Sequence, residues 1–268
     1  MDTPILSPKA PVDAYIDVMR VDMGPGEIGY LHTSPEYAMK KLLAKGSGDI
    51  YQLSHVFRAN EKGPLHMPEL TMLEWYRLSL SFEELIQETL ELTHLFLGPL
   101  PRETLTYREA FRTHAALDPF KDDLLPKILT FSPSAKEWDR DTQLNLLFSH
   151  LVEPQLGRDK LTVITEFPGT QAALAKTEIR EDFEVAKRFE VYFQGVELAN
   201  GFDELADGKV QMHRFLRENQ KRIDMGKEAL PIDEEFVEAL DRLPDAVGVA
   251  VGFDRLVQFM TTRPRALS

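Results

Sequence analysis

The sequence predicts an α+β fold. Two pairs of runs alternate with a period of two, Ile50 to Arg58 with Leu70 to Arg77 and Lys187 to Phe193 with Val196 to Phe202, as paired strands do. Between and after them, Phe82 to Leu95 and Asp207 to Lys227 carry helical spacing with charged residues on the polar side. A glycine-rich strand, Gly248 to Gly252, then runs into a helix at Asp254.

The elements follow in order. Residues 1 to 30 alternate short extended pieces with prolines at 4, 8, 11 and 25. Ser34 followed by Pro35 signals a helix start, and a helix is expected from Ser34 to Lys45. After the first strand pair and the helix at Phe82, the stretch from about 98 to 136 holds several prolines and short helical pieces. It predicts a small helical insertion over the sheet. Asp139 to Leu151 reads as a helix, Leu161 to Phe167 as a strand, and Gln194-Gly195 as the two-residue turn of a hairpin. Pro231 to Leu243 reads as a further helix.

Composition narrows the function classes. The chain has 268 residues, 43% of them hydrophobic, enough for a sizeable core, and residues 1–268 are expected to form a single catalytic domain. With no cysteine, a disulfide framework, a cysteine-zinc site and a thiol nucleophile are excluded. The opening residues lack a basic and apolar leader, and no apolar run reaches the roughly 20 residues a membrane span needs. A cytoplasmic protein without a membrane association is expected. Lys and Arg number 31 against 44 Asp and Glu, a formal charge of −13. That is the wrong sign for a surface that attracts phosphate backbones as a whole. The densest basic stretch, Arg214 to Lys227, is interleaved with Glu218 and Asp224 and reads as a solvated helix face.

Three constellations bear chemistry. Leu70, Met72, Glu74 and Tyr76 share parity on one strand, so an acid and a phenol sit side by side, a pairing suited to an ammonium group or to a plain sheet surface. Across the Gln194-Gly195 turn, Glu197 faces Tyr192 with Glu190 diagonal to it. The two carboxylates suit magnesium held with substrate phosphates, or else two solvated acids. Gly248 and Gly252 precede Asp254-Arg255, where a guanidinium at a helix start suits phosphate or a structural salt bridge. There is no G-x-x-x-x-G-K-[ST], H-E-x-x-H or G-x-S-x-G motif, which sets aside the common P-loop ATPase, zincin and serine hydrolase. The seven histidines lack ligand spacing, with His66 the one candidate for a role.

Taken in order, Asp2 to Leu6, Phe57 to Tyr76 and Gly248 to Leu256 resemble motifs 1, 2 and 3 of the class II aminoacyl-tRNA synthetases. TSPEYAMKKLL at Thr33 to Leu43, TMLEWYR at Thr71 to Arg77 and RFEVYFQGVELANGFDEL at Arg188 to Leu205 are similar to the lysine branch. The tryptophan of TMLEWYR favours the short paralogues that attach (R)-β-lysine to elongation factor P. The resemblance covers essentially the whole chain. It implies an antiparallel sheet flanked by helices and a reaction that uses ATP with Mg²⁺. By position, Arg58 and Arg255 would be catalytic, holding the α- and γ-phosphates, and Asn60, Met67, Leu70, Glu197, Leu198 and Gly252 would complete the ATP site. Glu190 and Glu197 would carry the magnesium. Ser34, Pro35, Glu36, Glu74, Tyr76, Asn200 and Glu204 would surround the amino acid, lysine or β-lysine. The chain opens inside motif 1, so an anticodon-binding domain is expected to be absent. With the acidic balance, that argues for elongation factor P rather than tRNA as acceptor. Motif 1 builds a homodimer interface in the family, and here it is short.

Three departures fall on the nucleotide pocket. Asn60 stands where the family has a glutamate that contacts adenine, Met67 where it has an asparagine, and Leu70 where it has the aromatic that stacks on adenine. A lost stack is worth roughly 0.5 to 1.5 kcal/mol, whereas the two arginines are retained. Altered nucleotide binding is expected more than loss of activity. Two rivals stand beside the ligase: a truncated lysine-tRNA synthetase core using α-lysine, and a non-catalytic paralogue that binds a partner or small molecule.

Overall fold

The proline-rich opening pairs as a small antiparallel sheet: β1 (Leu6–Ser7), β2 (Met19–Gly24) and β3 (Glu27–Leu31), in the order β1, β3, β2. This is a computed structural model, which describes residues 1–61, 63, 67–133 and 135–262. The chain divides into two compact units, one formed by Met1–Ser81 with the chain from Glu204 onward, the other by Phe82–Asp203.

In the first unit, α1 (Glu36–Ala44) buries Met39, Lys40 and Leu43. Pro35 stands just before the helix and not at its first position, while the Ser34 hydroxyl accepts the Glu36 N–H at 3.0 Å. The expected strand pair is present as β4 (Ile50–Phe57) and β5 (Glu69–Leu78), antiparallel from Ile50 opposite Tyr76 to Phe57 opposite Glu69.

The second unit opens with α2 (Phe82–Leu97), whose buried Leu85, Thr89, Leu90, Thr93 and Leu97 recur at helical spacing. The stretch from 98 to 136 is not helical throughout. It begins with strand β6 (Arg102–Thr106), which pairs parallel to β7 (Leu161–Pro168). Only then do α3 (Tyr107–Ala115) and α4 (Leu125–Ile128) follow. Thr106 ends the strand and starts α3 through a capping box with Glu109, satisfying backbone donors at the helix entry. Asp139 caps α5 (Arg140–Leu147) through the Thr142 N–H. Three strands complete the unit, β8 (Thr177–Arg180), β9 (Phe183–Phe193) and β10 (Val196–Asp203), and β9 pairs antiparallel with β7, β8 and β10. Tyr107 stacks on Phe148 at 5.3 Å and packs against Phe111 and Phe167, an aromatic core under the sheet.

The chain returns to the first unit through α6 (Gly208–Asp224), capped by Asp207, whose carboxylate accepts the Val210 N–H at 2.9 Å. Its basic stretch is not wholly a solvated face. Arg222 is buried and donates to the carbonyls of Asp13 and Glu228. The helix expected over 231 to 243 is shorter, α7 (Glu234–Leu240), because Asp233 accepts the Phe236 N–H and sets its start. The glycine-rich strand is β11 (Ala246–Gly252), antiparallel to β5, and α8 (Phe253–Thr262) follows at once. Among the described residues no helix is long and apolar enough to cross a membrane.

Candidate active site

The first unit gathers an acidic pocket. On β5, Glu74 and Tyr76 share a face, as their parity requires, and both are buried. The Ser34 hydroxyl donates to Glu74 Oε1, and the Tyr76 hydroxyl donates to Oε2 at 3.2 Å. From α1, Glu36 and Lys40 stand one turn apart on one side of the helix, and the Lys40 ammonium donates to Glu36 Oε1 at 2.6 Å. The same ammonium lies 2.6 Å from Glu204 Oε2. The other oxygen, Glu204 Oε1, has no hydrogen-bond partner among the described residues. The Glu204 N–H is fixed by the Ala246 carbonyl at 3.0 Å.

Gly248 of β11 lies opposite Tyr76, and a Cβ there would stand against the tyrosine ring and 2.5 Å from Glu204 Oε1. The glycine therefore makes room for the pocket's own side chains. Burial pushes the Glu74 carboxyl up to about 8, with Glu36 adding to the rise. Burial likewise raises Glu204 to about 8, against the pull of Lys40. Ser34, Glu36, Glu74, Tyr76 and Glu204, all expected from the sequence, thus come together, and Lys40 joins them. Lys40 was legible only as a residue four positions after Glu36 on a helix, a spacing that places the two on one face.

The phosphate-binding candidates lie at the other end of β5. Arg58 follows β4, and its N–H donates to the Pro68 carbonyl at 2.9 Å. Among the described residues its buried Nε has no hydrogen-bond partner, and its Nη1 stands 3.8 Å from Glu61. Gly252 pairs with Met72, and the Arg255 chain folds back over it, with Cδ 3.3 Å from where a Cβ would be. The Thr71 N–H donates to the Asp254 carboxylate at 2.7 Å, tying the start of α8 to the start of β5. From Leu70 to Glu74 the strand advances roughly 13 Å at about 3.3 Å per residue.

The three departures differ in setting. Asn60 has a positive φ of 64° and donates its amide to Asp17 at 3.3 Å, Met67 is exposed, and Leu70 is partly buried opposite Val56. His66 lies outside the described residues.

The second unit holds the hairpin. Gln194 and Gly195 both have positive φ, 50° and 72°, as a tight two-residue hairpin turn demands. Glu197 pairs with Tyr192 as expected. A bulge then intervenes between Glu197 and Ala199, so that Asn200 and not Ala199 stands opposite Glu190. The extra residue restores Asn200 to the face of Glu190, Tyr192 and Glu197, while Leu198, within the bulge, is buried. Arg188, unmarked by the sequence reading, orders this face. It donates to Asn200 Oδ1 at 3.1 Å, to the Gln171 carbonyl at 2.9 Å and to Glu190 Oε1, with its guanidinium 4.5 Å over the Phe167 ring. The Tyr192 hydroxyl donates to the other Glu190 oxygen.

Among the described residues no group of three or more acidic, histidine or cysteine side chains could hold a metal alone. Two carboxylates on one face remain a donor set that fits magnesium, which takes one or two carboxylates and completes its shell with phosphates and water.

Comparisons with known proteins agree with the motifs. Residues 1–265 match the model of the tRNA synthetases class II (D, K and N). The chain is 45% identical over 269 residues to an elongation factor P (R)-β-lysine ligase of Erwinia tasmaniensis, covering 96% of this chain and 82% of that one. It is 43% identical over 277 residues to the ligase of the same name from Edwardsiella ictaluri, covering 99% and 85%. A third, from Haemophilus influenzae, is 44% identical over 267 residues, covering 96% and 82%. On a match spanning nearly all of its length, the chain belongs to the class II tRNA synthetase family of the D, K and N type.

Proposed function

We propose that the chain is an ATP-dependent ligase that activates a lysine-like amino acid, (R)-β-lysine, as its adenylate and transfers it to a lysine side chain of elongation factor P. The observation that carries this reading is the charge of the buried pocket. Glu36 and Glu204 pair with a single ammonium, that of Lys40, and Glu74 adds a third acid beside them, so the pocket holds two more acidic groups than cations. A lysine or β-lysine brings two ammonium groups. The names of the relatives point to the same donor and acceptor.

In the proposed reaction a carboxylate oxygen of the amino acid attacks the α-phosphorus of ATP, the bond to the bridging oxygen breaks, and pyrophosphate leaves. The acceptor amine then attacks the acyl carbon, loses a proton, and AMP departs with the bonding pair. Negative charge builds on the phosphates in the first step, so fixed cations aimed there lower the barrier without a covalent protein intermediate. Arg58 and Arg255 are assigned that task, and the buried Nε of Arg58, without a hydrogen-bond partner among the described residues, supports it. Glu190 and Glu197 would hold magnesium, whose positive charge would neutralise the phosphates. Asn60, Met67, Leu70, Leu198 and Gly252 are assigned to the nucleotide, and Ser34, Pro35, Tyr76 and Asn200, with the three pocket acids, to the amino acid. The reading has residues 1–268 acting as one catalytic domain in the cytoplasm, on a protein rather than on tRNA.

The test is ATP-pyrophosphate exchange with Mg²⁺, comparing (R)-β-lysine, α-lysine and no amino acid, followed by mass measurement of elongation factor P. Exchange strongest with β-lysine, and a matching mass gain, is expected. Exchange strongest with α-lysine would favour a lysine-tRNA synthetase core, and none from folded protein would overturn the enzyme reading.

A further inference from the structure

We propose that Lys40 is a positioning residue that fixes the charge of the amino-acid pocket, holding Glu36 and Glu204 so that the pocket takes substrates with two ammonium groups and rejects those with one. This rests on the reading of that pocket as the amino-acid site. The Lys40 side chain is 0% exposed, and its ammonium is 2.6 Å from a carboxylate oxygen on each side, one from its own helix and one from the segment after β10. Burying a lysine requires a matched counter-charge, but one carboxylate suffices for that. Here three are gathered, and the third, Glu74, is held by two neutral hydroxyls, Ser34 and Tyr76. Glu204 Oε2 is taken up by the Lys40 ammonium, while Oε1 has no hydrogen-bond partner among the described residues and retains capacity to accept from a substrate ammonium. A structural ion pair has no use for the two further acids. With Lys40 in place, a second substrate ammonium can pair with a further buried acid once that acid gives up its proton, whereas a substrate with one ammonium leaves that acid protonated and gains nothing from it. Without it, Glu36 and Glu204 lose their common anchor, and the surplus becomes three.

The experiment compares wild type, Lys40→Met, which keeps the shape and drops the charge, and Lys40→Ala, in the full chain. The measurements are calorimetric binding and ATP-pyrophosphate exchange with α-lysine, (R)-β-lysine and norleucine, which has lysine's skeleton without the side-chain ammonium. Wild type is expected to bind norleucine at least a hundredfold more weakly than the preferred diammonium substrate. Lys40→Met should raise KM for that substrate at least tenfold with kcat changed less than threefold. In Lys40→Ala, propylammonium should restore at least a fifth of the lost affinity and 1-propanol none. Lys40→Met binding as wild type does, or equal rescue by propanol, would overturn the inference. So would norleucine binding within threefold of lysine in wild type, a result that needs no variant to fold. Wild type that binds diammonium substrates selectively without exchange would remove the ligase reading and leave this one standing.

Discussion

Glu74→Gln removes one charge from the pocket at nearly constant shape, and the structure sets the size of the effect. Glu74 is 1% exposed and accepts from the hydroxyls of Ser34 and Tyr76. An ammonium about 4 Å from it, at an effective dielectric near 20, gains about 4 kcal/mol. Against this stands the proton. Burial raises the carboxyl to about 8, so ionising it at pH 7 costs on the order of 1 kcal/mol. The net loss in the variant is about 2 to 3 kcal/mol, or roughly 30- to 150-fold in KM for lysine or β-lysine. The same argument fixes the sign of a pH effect. Glu74 holds its proton in the free site below about 8, and the substrate amines stay protonated throughout that range. Binding therefore expels a proton, and affinity should rise with pH up to about 8 and then level. Glu204, also near 8, adds to the slope. The variant should keep the Glu204 contribution and lose the one from Glu74. Exchange kinetics at saturating ATP from pH 6 to 8.5 measure both quantities. A KM change below threefold, or an unchanged pH slope, would refute the reasoning.

Two further outcomes are expected. Arg58→Ala should lower exchange at least a hundredfold while calorimetric binding of the amino acid stays within a few-fold, since the residue lies at the far end of β5 from the pocket; unchanged exchange would remove Arg58 from the phosphate site. Gly248→Ala places a methyl against the Tyr76 ring and Glu204. It should cost about 1 to 3 kcal/mol of stability from overpacking and raise KM for the amino acid, read by thermal melting and exchange; a variant that melts and binds like wild type would contradict the pocket's geometry.

What the amino-acid string by itself determined was what depends on near neighbours. The strands at Ile50 and Leu70, the helix at Phe82 and the Gln194-Gly195 hairpin are visible because period and turn chemistry are local. The motifs were legible for the same reason: TMLEWYR carries Glu74 and Tyr76 on one face wherever that strand lies. Tertiary structure decided the rest. The strand Arg102–Thr106 reads locally as part of a helical stretch, and only its pairing with residues 161–165 makes it β. The bulge after Glu197 restores Asn200 to the face of Glu190, and a strict alternation cannot show an inserted residue. Lys40 is one of two adjacent lysines in a helix, and the string separates them only by the four-residue spacing from Glu36 to Lys40. Lys41 reaches outward to Asp233 and to the exposed Glu235, whereas Lys40 is sealed between Glu36 and Glu204, which lies 164 residues later. The carboxyls of Glu74 and Glu204 are raised by desolvation, and desolvation exists only once distant segments have closed around them.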